Sequence, residues 1–170
     1  MEDLISAIST ASGRGGVAIV RVSGTGALAL AKKMFSHKGE YLPNMLYPGE
    51  IDCGSFKDYG MCVYFRAPKS FTGEEVVEFH CHGGQEIARG VLKKTFSLGA
   101  RAAERGEFTK RAFLNGKLSL SAAEGMAEMI NAESLSQIRA GYSLYTESLT
   151  DEGKRLQAVL QTCLASIDAD

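Results

Sequence analysis

Apolar residues follow two patterns along this chain, and the change between them falls at residues 103–120. Ahead of that joint, short apolar runs are broken by glycine and turn residues; beyond it the glycines thin out and a helical apolar rhythm begins. Residues 4–9 alternate weakly, residues 10–16 form a glycine-rich loop and residues 17–22 are a compact β-branched run, which predicts strand, loop, strand. Ser23-Gly24-Thr25 turns into a helix over 26–35 with Leu28, Ala31, Met34 and Phe35 on one side, and a loop broken by Pro43 and Pro48 follows. Residues 49–56 and 60–67 predict a hairpin connected by Lys57-Asp58-Tyr59. After an irregular loop at 68–73, the alternation of 74–84 sets Val76, Glu78, His80 and His82 on one strand face and Val77, Phe79 and Cys81 on the other. Gly83-Gly84 opens a helix over 85–97 with Ile87, Val91, Lys94 and Leu98 on successive turns; Gly99 ends it, and 100–103 adds a short strand.

The joint, AERGEFTKRAFLNGKLSL, predicts a short surface helix closed by Asn115-Gly116, both tolerant of the left-handed conformation. Phe108 and Phe113 are its expected anchors against a core, amid the charges of Glu107, Lys110, Arg111 and Lys117. Next, Ser121 and Glu124 have capping-box spacing ahead of a helix whose buried side is Ala122, Met126, Met129 and Ile130, with a break at Asn131-Ala132. Ser134 and Gln137 repeat the capping signature. A stripe from Leu135, Ile138, Tyr142 and Tyr145 through Leu149, Leu156, Val159, Leu160, Cys163 and Leu164 to Ile167 predicts a helix of about thirty residues. Such a helix cannot cover its own stripe, so its packing partners are expected in sequence outside this chain or in another subunit. The whole reads as α+β: a mixed β-sheet domain with helices over residues 1–117, then a partial α-helical domain over residues 118–170.

Charge narrows the partners only slightly. With 19 basic and 20 acidic residues among 170, the net charge of −1 calls for neither nucleic acid nor an anionic membrane. The first ten residues carry Glu2 and Asp3 where a leader would be basic, and no apolar run reaches the roughly 20 residues that span a bilayer, so a soluble cytoplasmic protein is expected. Cys53, Cys62, Cys81 and Cys163 form no CxxC pair and read as reduced thiols. A zinc site from Cys53, Cys62, His80 and His82 fails on spacing, because the cysteines lack the tight ligand pair of a knuckle.

Three places carry candidate chemistry. The GRGG loop resembles a phosphate cradle, but it leads into a strand, not a helix, and lacks GxxxxGK[ST]; a tight turn with glycines at positive φ is the plainer reading. Arg21, between Val20 and Val22, is either an exposed strand charge or an anion contact. Glu78, His80 and His82 make either the polar side of a sheet or a site for proton transfer or ligand binding; a carboxylate there can accept two parallel N–H bonds from the amino-pyrimidinone edge of a pterin or guanine.

ISTASGRGGVAIVRVSG at 8–24, SFTGEEVVEFHCHGG at 70–84 and GEFTKRAFLNGKLSLSAAE at 106–124 together closely resemble the N-terminal part of the tRNA modification GTPase family, MnmE or TrmE. That resemblance implies an N-terminal domain similar to the folate-binding domain of glycine-cleavage T-protein. This domain binds 5-formyl-tetrahydrofolate or another one-carbon tetrahydrofolate and forms a homodimer. A helical domain follows, interrupted by a Ras-like G domain. With the flavoprotein MnmG (GidA), such proteins install an aminomethyl-type group on the wobble uridine of tRNA. The family's folate contacts map onto Arg21, Glu78 and Lys117. Ser12 and Arg105 stand where proline is common, and Ser119 where aspartate is frequent. No Walker motif or other G-box is present, so GTP, magnesium and potassium are expected only through a G domain outside this chain, and no catalytic residue for GTP hydrolysis is assigned within it. The rival readings are a stand-alone folate-dependent aminomethyltransferase and a non-enzymatic helical dimerisation module.

Overall fold

The β-branched and alternating runs assemble into one sheet in the computed structural model, which describes residues 3–146 and 155–162. Its strands are β1 (Ile5–Ile8), β2 (Val17–Ser23), β3 (Leu46–Asp52), β4 (Lys57–Phe65), β5 (Val76–His82) and β6 (Arg101–Ala102), ordered β3-β4-β5-β2-β1-β6. Neighbours run antiparallel except β1 and β6, which are parallel. The chain divides into two compact units, Met1–Lys117 and Leu118–Asp170.

Period-two alternation decides which side of the sheet is core. Ala18, Val20 and Val22 of β2 and Val77, Phe79 and Cys81 of β5 pack in one cluster with Ala27, Leu30, Ala31 and Met34 of α1 (Ala27–Met34) and Ala88 and Val91 of α2 (Gln85–Ser97). Phe35 and Phe79 are fully buried there, their ring centroids 6.4 Å apart. The opposite face is roofed at one end by residues 66–75 and α3 (Glu107–Leu114), which bury Thr72, Glu74 and Ala112; it is open at the other end, where Val17, Tyr59 and Met61 are exposed. Asn115 and Gly116, the latter at φ 67°, close α3 as expected.

The hairpin differs from its expected register. β4 begins at Lys57, and the reversal is at 53–56, where the Cys53 N–H donates to the Phe56 carbonyl (3.0 Å) and the Asp52 carboxylate accepts from Gly54 N–H (2.8 Å). Asp58, expected in the turn, is instead buried because it accepts from β5. Pro48 lies inside β3, opposite Met61; β3 is the sheet's edge, where a missing N–H leaves no ladder bond unmade. Phe113, an expected anchor, is 43% exposed; Ala112 takes the buried position.

In the second unit, α4 (Leu120–Asn131) is capped by Ser119, whose hydroxyl accepts from Ala122 N–H at 3.0 Å, and not by Ser121. The capping box of α5 (Leu135–Tyr145) is formed by Ser134 and Gln137 as its spacing predicts. α4 and α5 approach through glycine. A Cβ on Gly125 would stand 2.4 Å from the Gly141 carbonyl oxygen, and one on Gly141 2.8 Å from that of Gly125. This glycine seam displaces the expected stripe: Ile130 and Leu135 are about three-quarters exposed. α5 ends at Tyr145, with Thr146 as its C-cap. The remainder of the expected long helix falls on 147–154 and 163–170, outside the described residues, and on 155–162, which are helical. Among the described residues no helix is long and apolar enough to cross a membrane.

Candidate ligand site on the open sheet face

Because Ala18, Val20 and Val22 point into the core, the residues between them, Ile19 and Arg21, stand on the other face of β2. The same parity puts Glu78 and His80 there on β5. Strand register then sets Arg21 opposite Glu78 and Ile19 opposite His80, while β4 places Val63 beside Glu78 and Met61 beside His80. Arg21 Nε donates to Glu78 Oε1 at 2.7 Å, and His80 Nε2 lies 3.4 Å from Oε2. The Arg21 and Glu78 side chains are only 25% and 12% exposed, so solvent screens this pair less than a surface one. The Arg21 guanidinium carbon also lies over two rings, 5.5 Å from the centroid of Phe71 in the 66–75 segment and 5.5 Å from that of Phe108 on α3.

A buried polar network holds this roof to the sheet. The Ser23 hydroxyl, at the end of β2, donates to Glu74 Oε2 (2.6 Å) and lies 2.7 Å from the Thr72 hydroxyl. Arg111 of α3 donates from Nη1 to both Glu74 oxygens (3.1 and 3.2 Å), and from Nη2 to Asp3 (2.7 Å) and Glu107 (3.1 Å). Asn115 Nδ2 donates to the Thr72 carbonyl at 2.7 Å. Glu107 also accepts from Arg101 and from the Glu104 N–H. The Arg101 guanidinium, foremost, holds the Glu107 carboxyl down at about 2 against the opposing effect of burial. Reciprocally, Glu107 and then Asp3 raise the already high pKa of Arg101.

Lys117 stands apart from the pair. Its N–H closes the turn after α3 onto the Ala112 carbonyl (2.8 Å), and its stem runs against Gly73, where a Cβ would come within 3.2 Å of Lys117 Cγ. It lines a cleft of about 310 Å³ with Thr25, Pro68, Gly73, Glu74 and Asn115. No hydrogen bond or ion pair among the described residues links Lys117 to Arg21 or Glu78; what connects them is the 66–75 segment, carrying Phe71 at one site and Gly73 at the other.

The other candidates resolve differently. His82 Nδ1 is 2.6 Å from Asp58 Oδ1, and its N–H donates to Asp58 Oδ2 at 2.9 Å, so the ring is tied to β4. Cys53, Cys62 and Cys81 are buried, and among the described residues no group of three or more His, Cys, Asp or Glu could hold a metal ion. In GRGG only Gly13 uses positive φ (138°). Gly15 and Gly16 serve close approach instead: Gly15 N–H donates to the Gly83 carbonyl and Gly83 N–H to that of Gly16, and a Cβ on Gly83 would stand 2.2 Å from the Gly15 oxygen.

No periodicity in the sequence marks Phe71, which lies in a loop, or the Ser23–Glu74–Arg111 network. Buried charge on a loop residue beside a strand has no periodic signal. The one available hint was Phe71-Thr72-Gly73, a large apolar residue inside a turn-rich stretch.

Residues 4–117 match the family model described as GTP-binding protein TrmE N-terminus. The chain is 43% identical over 160 residues to the tRNA modification GTPase MnmE of Sulfurimonas denitrificans, covering 89% of this chain and 36% of that protein. Against the protein of the same name from Aquifex aeolicus it is 41% identical over 172 residues, covering 100% of this chain and 38% of that protein. Against that from Nitratiruptor sp. it is 48% identical over 132 residues, covering 76% and 29%. The chain thus matches 29% to 38% of the length of these three relatives.

Proposed function

This chain belongs to the TrmE family, whose relatives are named tRNA modification GTPase MnmE, and from that premise we propose that its sheet domain is a folate-binding and dimerisation module. The ligand in this reading is 5-formyl-tetrahydrofolate or another one-carbon tetrahydrofolate, and the domain is similar to the folate-binding domain of glycine-cleavage T-protein. The full protein is a cytoplasmic GTPase. With the flavoprotein MnmG it modifies C5 of the wobble uridine of tRNA, and GTP, magnesium and potassium act through a G domain outside this chain.

The observation that supports the folate reading most is the Arg21–Glu78 pair on a half-covered sheet face. Glu78 presents two acceptor oxygens, Oε1 toward the Arg21 Nε–H and Oε2 3.4 Å from His80 Nε2, and the N–H and amino donors of a pterin edge match that same pair of acceptors. Lys117, along the 66–75 segment, is a cation suited to polar or carboxylate groups elsewhere on the ligand. A bound reduced folate supplies the one-carbon unit; the residues of this chain orient it.

Calorimetric titration of 5-formyl-tetrahydrofolate into the chain, with sedimentation of the same sample, tests this. Micromolar binding by a dimer is expected, weakened about a hundredfold in Glu78→Ala, the size of a lost charge-assisted contact. A folded Glu78→Ala protein with unchanged affinity removes Glu78 from the site. A folded wild-type protein that binds no folate refutes the module's role.

A further inference from the structure

We infer that in the ligand-free protein the Arg21 guanidinium occupies the seat of the ligand's flat ring, and that Phe71 and Phe108 clamp that ring once Arg21 withdraws. The inference rests on the folate reading and adds to it two ring-binding residues and an internal competitor.

A guanidinium is planar, carries its N–H donors in the plane, pairs with carboxylates along its edge and stacks by its face on aromatic rings. The 2-amino-pyrimidinone end of a pterin repeats that arrangement inside a ring: a planar carbon bearing three nitrogens, with adjacent N–H donors on one edge. Arg21 meets three groups from three parts of the fold. Glu78 Oε1 on β5 accepts its Nε–H at 2.7 Å, and the rings of Phe71 in the 66–75 segment and Phe108 on α3 each lie 5.5 Å from its central carbon. A carboxylate edge with aromatic surface beside it is what a flat, amidine-edged ring requires.

The two occupants exclude each other. The Arg21 guanidinium fills the space against Oε1 and over the Phe71 and Phe108 rings, and His80 Nε2 stands 3.4 Å from Oε2. A ring bonding both oxygens therefore needs Arg21 to release the carboxylate. Arg21 can do so by side-chain rotation alone, since its backbone is fixed in the β1–β2–β5 ladder and its side chain reaches solvent. Leaving Glu78 costs the protein an ion pair and two ring contacts, so Arg21 opposes binding of the bare ring even where it aids binding of a ligand whose carboxylates it can reach.

The test separates these parts. 2-Amino-4-hydroxypteridine, the bare ring, and 5-formyl-tetrahydrofolate are titrated into the wild-type chain, Arg21→Ala, Phe71→Leu and Phe108→Leu, with native amide exchange of β2 and β5 required of each. Arg21→Gln, which keeps length without charge, replaces Arg21→Ala if that variant misfolds. The Arg21 variant is expected to bind the bare ring about tenfold more tightly, and each leucine variant about tenfold more weakly, in line with loss of one stacking surface. A weaker bare ring in the Arg21 variants, or unchanged affinity in both leucine variants, while 5-formyl-tetrahydrofolate still binds the wild type, overturns this inference and leaves the folate reading standing. Binding of neither compound by folded wild-type and Arg21-variant proteins overturns both.

Discussion

Replacing Arg111 with methionine is expected to destabilise the sheet unit by about 3 kcal/mol, the low end of the range for breaking a buried ion pair. Glu74 is the reason. Its side chain is 5% exposed, and Arg111, itself 11% exposed, reaches both of its oxygens at 3.1 and 3.2 Å. Methionine keeps much of the volume and removes the charge, leaving Glu74 with the Ser23 hydroxyl. Two features hold the effect near the bottom of the range. Glu107 retains Arg101, and the Arg111–Asp3 contact involves a half-exposed carboxylate that contributes about 0–1 kcal/mol. Glu74→Gln in the same background removes the stranded charge and is expected to recover about 2 kcal/mol, so the double variant is less damaged than Arg111→Met alone. The assay is the urea dependence of amide exchange in β5, which reports this unit and not the helical one. Additive single and double effects, or an Arg111→Met change below about 0.5 kcal/mol, would refute the assignment of Glu74 as a charge dependent on Arg111.

Acid should loosen the same region. Glu107 titrates at about 2 in the folded chain against an ordinary 4.5, so its stabilisation is complete above the unfolded value and is lost as pH falls toward 2; Glu107→Gln should flatten the stability profile in that window, measured by acid titration of β5 exchange. Burial pushes the Cys62 thiol up to about 12 and those of Cys53 and Cys81 up to about 11; iodoacetamide at mildly alkaline pH should label these three only after unfolding, read by peptide mass spectrometry. Gly125→Ala gains about 1 kcal/mol of helix propensity but sets its Cβ 2.4 Å from one backbone atom and 2.5 Å from another on α5, so faster amide exchange in α4 and α5 is expected, and slower exchange would contradict the glycine seam.

What the sequence determined by itself was local. The alternation of 76–82 set Glu78 and His80 on the face away from Val77, Phe79 and Cys81, because strand parity is a property of the backbone and needs no partner. Ser134 with Gln137 and Asn115 with Gly116 marked helix ends for the same reason, since caps are satisfied within a few residues. Ser121 misled because Ser119, two residues earlier, offers the same hydroxyl, and only the path of the chain into α4 chooses between them.

Tertiary structure decided everything that joins distant segments. Pro48 reads as a breaker until β3 is known to be an edge, and Lys57-Asp58-Tyr59 reads as a turn until Asp58 is seen to accept from His82 across the sheet. The contact of Arg21 with Phe71 and Phe108 depends on 66–75 and α3 folding over one end of the sheet, held by Ser23, Glu74 and Arg111 from three separate stretches. Periodicity records which way a side chain faces along its own element; which neighbour it meets is set by packing and register between elements, and no single stretch of sequence carries that.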